Sequence, residues 1–278
     1  MSEAVVGFLV MAFTEETAAD EALKAMKDAK KQKQFYFEDA AVIRQDADGK
    51  VHYHETGDMS TGRGAGAGAL IGGILGILGG PAGVVLGAGA GAAIGAVAAH
   101  GDAGFQDESL ETIGVALEPG TSAIAAITSH DFLKALQKQV GKDDIATAVN
   151  NIAAEISAKL AEGKSMALGL ILAEDGIAIQ EVAVDEESAE IVGAVMTSDA
   201  IIAGAAVITG EGAAYEIGVA TEEGVAVETG VVTADAAVVV DDVITDEGEL
   251  IVATAVVVDD EETDEDADDA ADAPSEEA

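Results

Sequence analysis

Thr209-Gly-Glu-Gly-Ala-Ala-Tyr-Glu-Ile-Gly-Val-Ala-Thr221-Glu-Glu-Gly-Val-Ala-Val-Glu-Thr-Gly-Val-Val-Thr233 spans two periods of a twelve-residue repeat. Thr197, Thr209, Thr221, Thr233 and Thr245 stand twelve apart, and the tripeptides that follow them read SDA, GEG, EEG, ADA and DEG. The period extends back to Asp185-Glu-Glu-Ser188 and Ala173-Glu-Asp-Gly176. Between turns lie eight-residue segments such as Ala213 to Ala220 (AAYEIGVA) and Val225 to Val232 (VAVETGVV), short and β-branched enough for strands. Thr245-Asp-Glu-Gly248 suits a type I turn with Gly in the left-handed position, forming a bulge. The expectation for residues 165–258 is an all-β repeat domain of seven or eight short strands.

A meander and a β-solenoid both accommodate this period. In a meander, successive acidic turns fall on opposite edges, so like turns lie about 10 Å apart; in a solenoid they stack at about 4.8 Å. The second spacing is well inside the Debye length of about 10 Å at 0.1 M salt, which favours the meander. Within a strand, Tyr215, Ile217 and Val219 share a face, as do Val225, Val227 and Val231, while Glu216 and Glu228 point the other way. This alternation leads to an expectation of a one-sided sheet that must close into a barrel, pack on the first domain or pair with another chain.

Downstream, residues 259–278 are acids, Ala and little else, a composition too poor in apolar groups to offset ordering entropy, so a disordered acidic tail is expected. The chain of 278 residues has formal net charge −40, and no Lys or Arg follows Lys164. The residues after Lys164 carry 31 acids, a field that repels nucleic acid and attracts cations or basic protein partners. Salt adaptation is an alternative origin of the same acidity. Cysteine is absent, which excludes disulfides, thiolate metal sites and cysteine nucleophiles. Hydrophobic residues make up 49%, aromatics only 3%, so any core is built from small side chains.

Upstream, Ala4 to Phe13 (AVVGFLVMAF) reads as a buried strand. Thr14 is positioned to cap a helix with acids in its first turn, lysines toward its end, and a stripe of Ala22, Leu23, Met26 and Ala29. Phe35 to Arg44 and Val51 to Thr56 form a predicted hairpin about Asp46-Ala-Asp-Gly49. Leu110, Ile113, Ala116 and Leu117 recur at helical spacing, Glu118-Pro-Gly120 stops that helix, and Thr121 to Thr128 reads as a strand. Asp131 to Val140 and Asp144 to Leu160 read as further helices. The βαββ-insert-αβ order predicts an α+β, ferredoxin-like domain over residues 1–164 with an insert at 62–104.

The insert is charge-free from Gly64 to Ala99 and sets glycines four apart: Gly68, Gly72, Gly76, Gly80, and then Gly79, Gly83, Gly87, Gly91, Gly95. A glycine every fourth residue lets helix backbones approach closely, so a Gly-zipper helical hairpin is expected, with Gly68, Gly72, Gly76, Gly80, Gly83, Gly87, Gly91 and Gly95 as packing and oligomerisation residues. Gly66 to Gly79 is about 21 Å long as helix and Ala82 to Ala99 about 27 Å, both short of the ~30 Å hydrocarbon core. Membrane insertion through residues 64–99 and a soluble self-associating hairpin both remain open. The N-terminus has neither the basic start nor the cleavage site of a secretory signal, so association with the cytoplasmic membrane is expected, with a cytoplasmic location as the alternative.

The strand-helix-hairpin opening, the charge-free Gly segment after the third strand and the Leu117-Glu-Pro-Gly-Thr-Ser-Ala123 turn together resemble the prokaryotic family known as domain of unknown function number 1269, often labelled a predicted membrane protein. The resemblance covers about Ala4 to Glu162. It implies a fold, a membrane-associated label and a stress or envelope setting, and no reaction.

Chemical motifs weigh little. Gly64-Ala-Gly66-Ala-Gly68 lacks the strand and the distant acid of a dinucleotide site, and Gly163-Lys164-Ser165 follows a helix, the reverse of a phosphate loop. His52 and His54 permit two metal ligands on a strand face but have no third or fourth. His100 bounds the apolar segment, and His130 precedes a helix. Ser129-His130-Asp131 holds the residue types of a hydrolytic triad, yet sequence neighbours do not converge on one point. The acidic turns lack calcium-loop spacing. The expectation is therefore a non-enzymatic, membrane-associated or self-assembling homo-oligomer without cofactor or metal, the alternative being a Ca²⁺-binding acidic adhesion or scaffold module.

Overall fold

The run Val6–Phe13 is apolar at every position, which suits a strand covered on both faces rather than one, and it holds that place at the centre of the covered end of the sheet. The computed structural model describes residues 6–32, 37–55, 107–129, 131–140, 142–173, 176–245 and 248–257. Their elements are β1 (Val6–Phe13), α1 (Ala18–Lys31), β2 (Asp39–Gln45), β3 (Val51–Glu55), α2 (Asp107–Ala116), β4 (Ser122–Ile127), α3 (Phe132–Val140), α4 (Lys142–Ala161), β5 (Ser165–Ala173), β6 (Gly176–Val184), β7 (Ser188–Thr197), β8 (Ala200–Thr209), β9 (Gly212–Thr221), β10 (Gly224–Thr233), β11 (Ala236–Thr245) and β12 (Gly248–Val257). The strands form one 12-stranded sheet in the order β12-β11-β10-β9-β8-β7-β6-β5-β1-β4-β2-β3. Every pairing among them is antiparallel.

One face of the covered end packs on α1. Leu9, Met11 and Phe13 of β1 meet Ala18, Ala22, Leu23 and Met26 there, so the helical stripe read from the sequence is buried except at its last alanine. On the other face, Val10 and Ala12 pack with Leu110, Ile113 and Leu117 beside α2, and with Ile156 and Leu160 of α4. A third cluster joins Ile127, Phe132, Leu136 and Leu172, with the rings of Phe8 and Phe132 stacked at 5.7 Å. The N-terminus of α1 is capped in an unexpected way. Thr17 makes no side-chain cap and Thr14 lies outside the helix; the amide of Ala19 instead donates to Ser122 Oγ (3.1 Å), which in turn donates to the carbonyl of Glu15 (2.6 Å). An orphan helix donor is thus satisfied from strand β4.

The ferredoxin-like α+β assignment is overturned. That order places the third strand between the first and second, whereas β4 occupies this slot and β3 lies outside β2 at the edge. The reason is polarity. All six residues of β4 (SAIAAI) are buried, while β3 reads Val-His-Tyr-His-Glu and has no second apolar face to offer an interior slot. The helices also lie on both faces rather than one, and the sheet continues past β1 through eight more strands. The boundary at 164/165 falls where β5 begins, and β5 pairs with β1 from Val6↔Leu172 to Ala12↔Met166, so hydrogen bonding is continuous across it.

The repeat is a meander, β5 to β12 in consecutive order. Each later turn has two residues: Thr209 lies opposite Gly212 and Thr221 opposite Gly224, in place of the expected bulged three-residue connection. Gly212 and Gly224 hold φ of +154° and +155°, and a Cβ on either would run into the backbone of a neighbouring strand.

The expectation of a transmembrane helical hairpin with a Gly zipper is likewise overturned. Among the described residues no helix is long and apolar enough to cross a membrane, and the structure is chiefly antiparallel sheet. Residues 64–99, with Gly68, Gly72, Gly76, Gly80, Gly83, Gly87, Gly91 and Gly95, lie outside the described residues, as does the 259–278 tail.

Candidate functional site

Each repeat threonine fixes a turn. Thr197 Oγ1 accepts from the amides of Asp199 (3.3 Å) and Ala200 (3.1 Å), and Thr209 and Thr221 accept in the same way from Glu211 and Glu223 (both 3.2 Å). A hydroxyl that mimics a backbone turn explains why the period is marked by Thr. The described acids of these turns, Asp199, Glu211, Glu222, Glu223 and Asp235, are exposed, and successive turns alternate between the two edges of the meander.

The two-residue turn has a larger consequence. Directly opposed residues always lie an odd number apart in sequence, as Tyr215↔Gly230 and Ile217↔Glu228 show, whereas equivalent residues of the repeat lie twelve apart. Since strand faces alternate with period two, equivalent positions fall on opposite sides of the sheet in consecutive strands. Tyr215, Ile217 and Val219 therefore face one side and Val225, Val227 and Val231 the other. The expected one-sided sheet is replaced by one with apolar residues on both faces.

Among the described residues, the core clusters reach no further into the meander than Ala206 of β8. Among the described residues of β8–β12 only Gly230 is buried. Val192, Ile201, Val231 and Ile244 are exposed on the α4 side and Leu250 and Val256 on the other, with Leu250 at 62%. On the α4 side a shallow groove of about 440 Å³ runs across β5–β9, with Glu181 and Glu216 set among Leu168, Ile179, Val192 and Ala205. Burial pushes the Glu181 carboxyl above the usual glutamate range, and the charge of Glu155 adds to the shift. Gln180 Nε2 and Asp242 Oδ1 are buried without a hydrogen-bond partner among the described residues.

The last two cations of the chain tie the helical end to the meander. Lys164 and Lys159 both donate to Glu190 of β7, Lys159 at 3.0 Å, and Lys164 also lies 4.0 Å from Asp185. Hydrogen bonds first from Lys164 and then from Lys159 hold Glu190 below its ordinary range. Backbone hydrogen bonds from Glu187 and Ser188 do the same for Asp185. Tyr215 covers Gly230, its hydroxyl donating to Glu228 Oε1 at 2.9 Å; Glu228 lies opposite Asp241, and the bond to Glu228 raises the phenol above its ordinary value.

The motif residues serve local structure. His52 Nε2 bonds Asp46 Oδ2 at 2.9 Å and His54 Nε2 lies 3.5 Å from Asp20 Oδ1, two carboxylates on different elements. No group of three or more His, Cys, Asp or Glu that could hold a metal occurs among the described residues. Ser129 Oγ accepts from the amide of Asp131 at the start of α3, and Asp131 pairs with Lys134 at 2.8 Å; His100 and His130 lie outside the described residues. Gly163 (φ +76°) ends α4, and Ser165 Oγ accepts from the amide of Thr14 at 3.3 Å. The Glu190 clamp and the Tyr215–Gly230 pair had no sequence signal of their own, since both are cross-strand contacts set by register.

These features define a class: a long antiparallel meander, anchored at one end by helices on both faces and, among the described residues, uncovered at the other. Residues 65–163 match the family described as "Protein of unknown function (DUF1269)". The resemblance read from the residues is thereby borne out over a shorter span, one that takes in α2, β4, α3 and α4 and leaves out β1–β3 and the meander from β5 onward. No curated protein and no solved structure matches the chain.

Proposed function

We propose that this is a non-enzymatic assembly protein, in which the helix-covered end is the folded anchor and the apolar meander is the surface through which copies associate. The observation that carries the reading is that no described residue of β8–β12 other than Gly230 is buried, on a sheet rich in Val and Ile. Isolated sheet layers gain stability by burying at least one apolar face, and contiguous exposed apolar surface marks interaction sites. Sedimentation velocity of the full chain between 1 and 100 µM in 0.5 M NaCl tests it. The expected result is a species of at least twice the 27.7 kDa chain mass, growing with concentration; a monomer throughout would overturn the reading.

A further inference from the structure

Resting on the assembly reading, we infer that two copies join through the outer edge of β12, antiparallel, to make one continuous sheet about a two-fold axis perpendicular to it. Every interior strand of the meander hydrogen-bonds on both sides, whereas among the described residues nothing pairs with the outer edge of β12. A strand edge is a row of free N–H and C=O groups, and proteins that must avoid pairing guard it with Lys, Pro, bulges or short length. β12 has none of these guards. It runs ten residues, Gly-Glu-Leu-Ile-Val-Ala-Thr-Ala-Val-Val, and its pairing with β11 is unbroken from Ala236↔Val257 to Thr245↔Gly248, without a bulge. The opposite edge, β3, is five residues long and polar. Among the described residues one molecule thus offers one long open edge, which favours a closed pair over a fibre.

Charge selects the direction. Twelve acids lie in residues 259–278, just past the end of β12 at Val257. A parallel pair would bring the two acidic segments out side by side, about 4.8 Å apart. An antiparallel pair sends them out at opposite ends of the ten-residue strand, about 30 Å apart at ~3.4 Å per residue, well beyond the Debye length of about 8 Å at 0.15 M. The two-fold axis keeps each sheet face continuous across the junction, so the exposed Leu250 and Ile251 extend the apolar surfaces of both copies.

Because the chain has no cysteine, single cysteines placed in turn at residues 250–256 report this geometry without background. Under oxidation, disulfide-linked dimer is expected to peak at one central position near Val252 to Thr254 and to fall away toward both ends; linking to a similar extent at positions all along the strand would mean a parallel, in-register pair and overturn the assignment. Val252→Pro and Ala253→Pro remove adjacent amides, one of which points outward. The outward one is expected to raise the dimer dissociation constant at least tenfold, with circular dichroism verifying the fold; the cysteine scan stands even where a proline variant fails to fold. Dimers that persist without cross-linking anywhere in β12 would sink the edge pairing and leave the assembly reading in place. A chain monomeric at every concentration and salt would remove both.

Discussion

Gly230 has no side chain because Tyr215 stands over it from the neighbouring strand, and a Cβ there would collide with the ring. The pair is the nearest thing to a packed side chain in the distal meander. Gly230→Val has to expel the ring and break its bond to Glu228, at a cost of about 1–3 kcal/mol by the usual scale for overpacking. Urea denaturation of the variant at a concentration where the chain is monomeric checks this, and an unchanged midpoint would mean that Tyr215 does not cover Gly230 in solution. Nothing in the sequence links the two, because a strand glycine gains its meaning only from what register places opposite it.

At the scale of elements, Glu190 joins two parts of the chain that charge patterning alone keeps apart. Lys159 lies in α4 and Lys164 in its connection to β5, and both end on a carboxylate of β7. The carboxyl is held below the ordinary glutamate value near 4.5, so the clamp is fully present above that value and is lost as pH falls through the folded one. Glu190→Gln is expected to cost about 1 kcal/mol at pH 7, discounted for a carboxylate that is one-third exposed, and to flatten the fall in stability between pH 5 and 3. Denaturant midpoints at pH 3, 4, 5 and 7 for both proteins measure it; parallel pH curves would contradict the clamp. The elements themselves were largely legible: α1 from its stripe, α4 from its Ile and Leu steps, and the strands from their Thr period. Their arrangement was not. Strand order turned on β4 being apolar on both faces and β3 on one at most, a comparison that a split βαβ template passes over. The two-sided meander turned on a turn one residue shorter than expected, which reverses the face of every equivalent position.

For the whole molecule the governing quantity is a net charge of −40 carried unevenly, with every Lys and Arg at or before Lys164 and 31 acids after it. The first part of the chain can pair its acids, as Asp28 does with Lys31 and Asp131 with Lys134. The meander cannot, apart from the cations it borrows at Glu190 and Asp185. Compact states with strong like charge are destabilised by self-repulsion, and the range of that repulsion shrinks from a Debye length of about 30 Å at 0.01 M salt to about 10 Å at 0.1 M and about 3 Å at 1 M. The urea midpoint of the monomeric chain should therefore climb with NaCl, steeply up to about 0.2 M, where screening first reaches the spacing of successive strands and turns, and more gently above. The same salt should tighten association at the β12 edge, because the pair brings two such charges together. Measuring the midpoint at two dilute protein concentrations separates the effects, since only the second depends on concentration. A midpoint flat from 0.01 to 1 M would mean that the acidic surface is already neutralised by bound cations, and that charge is not what limits the stability of the meander.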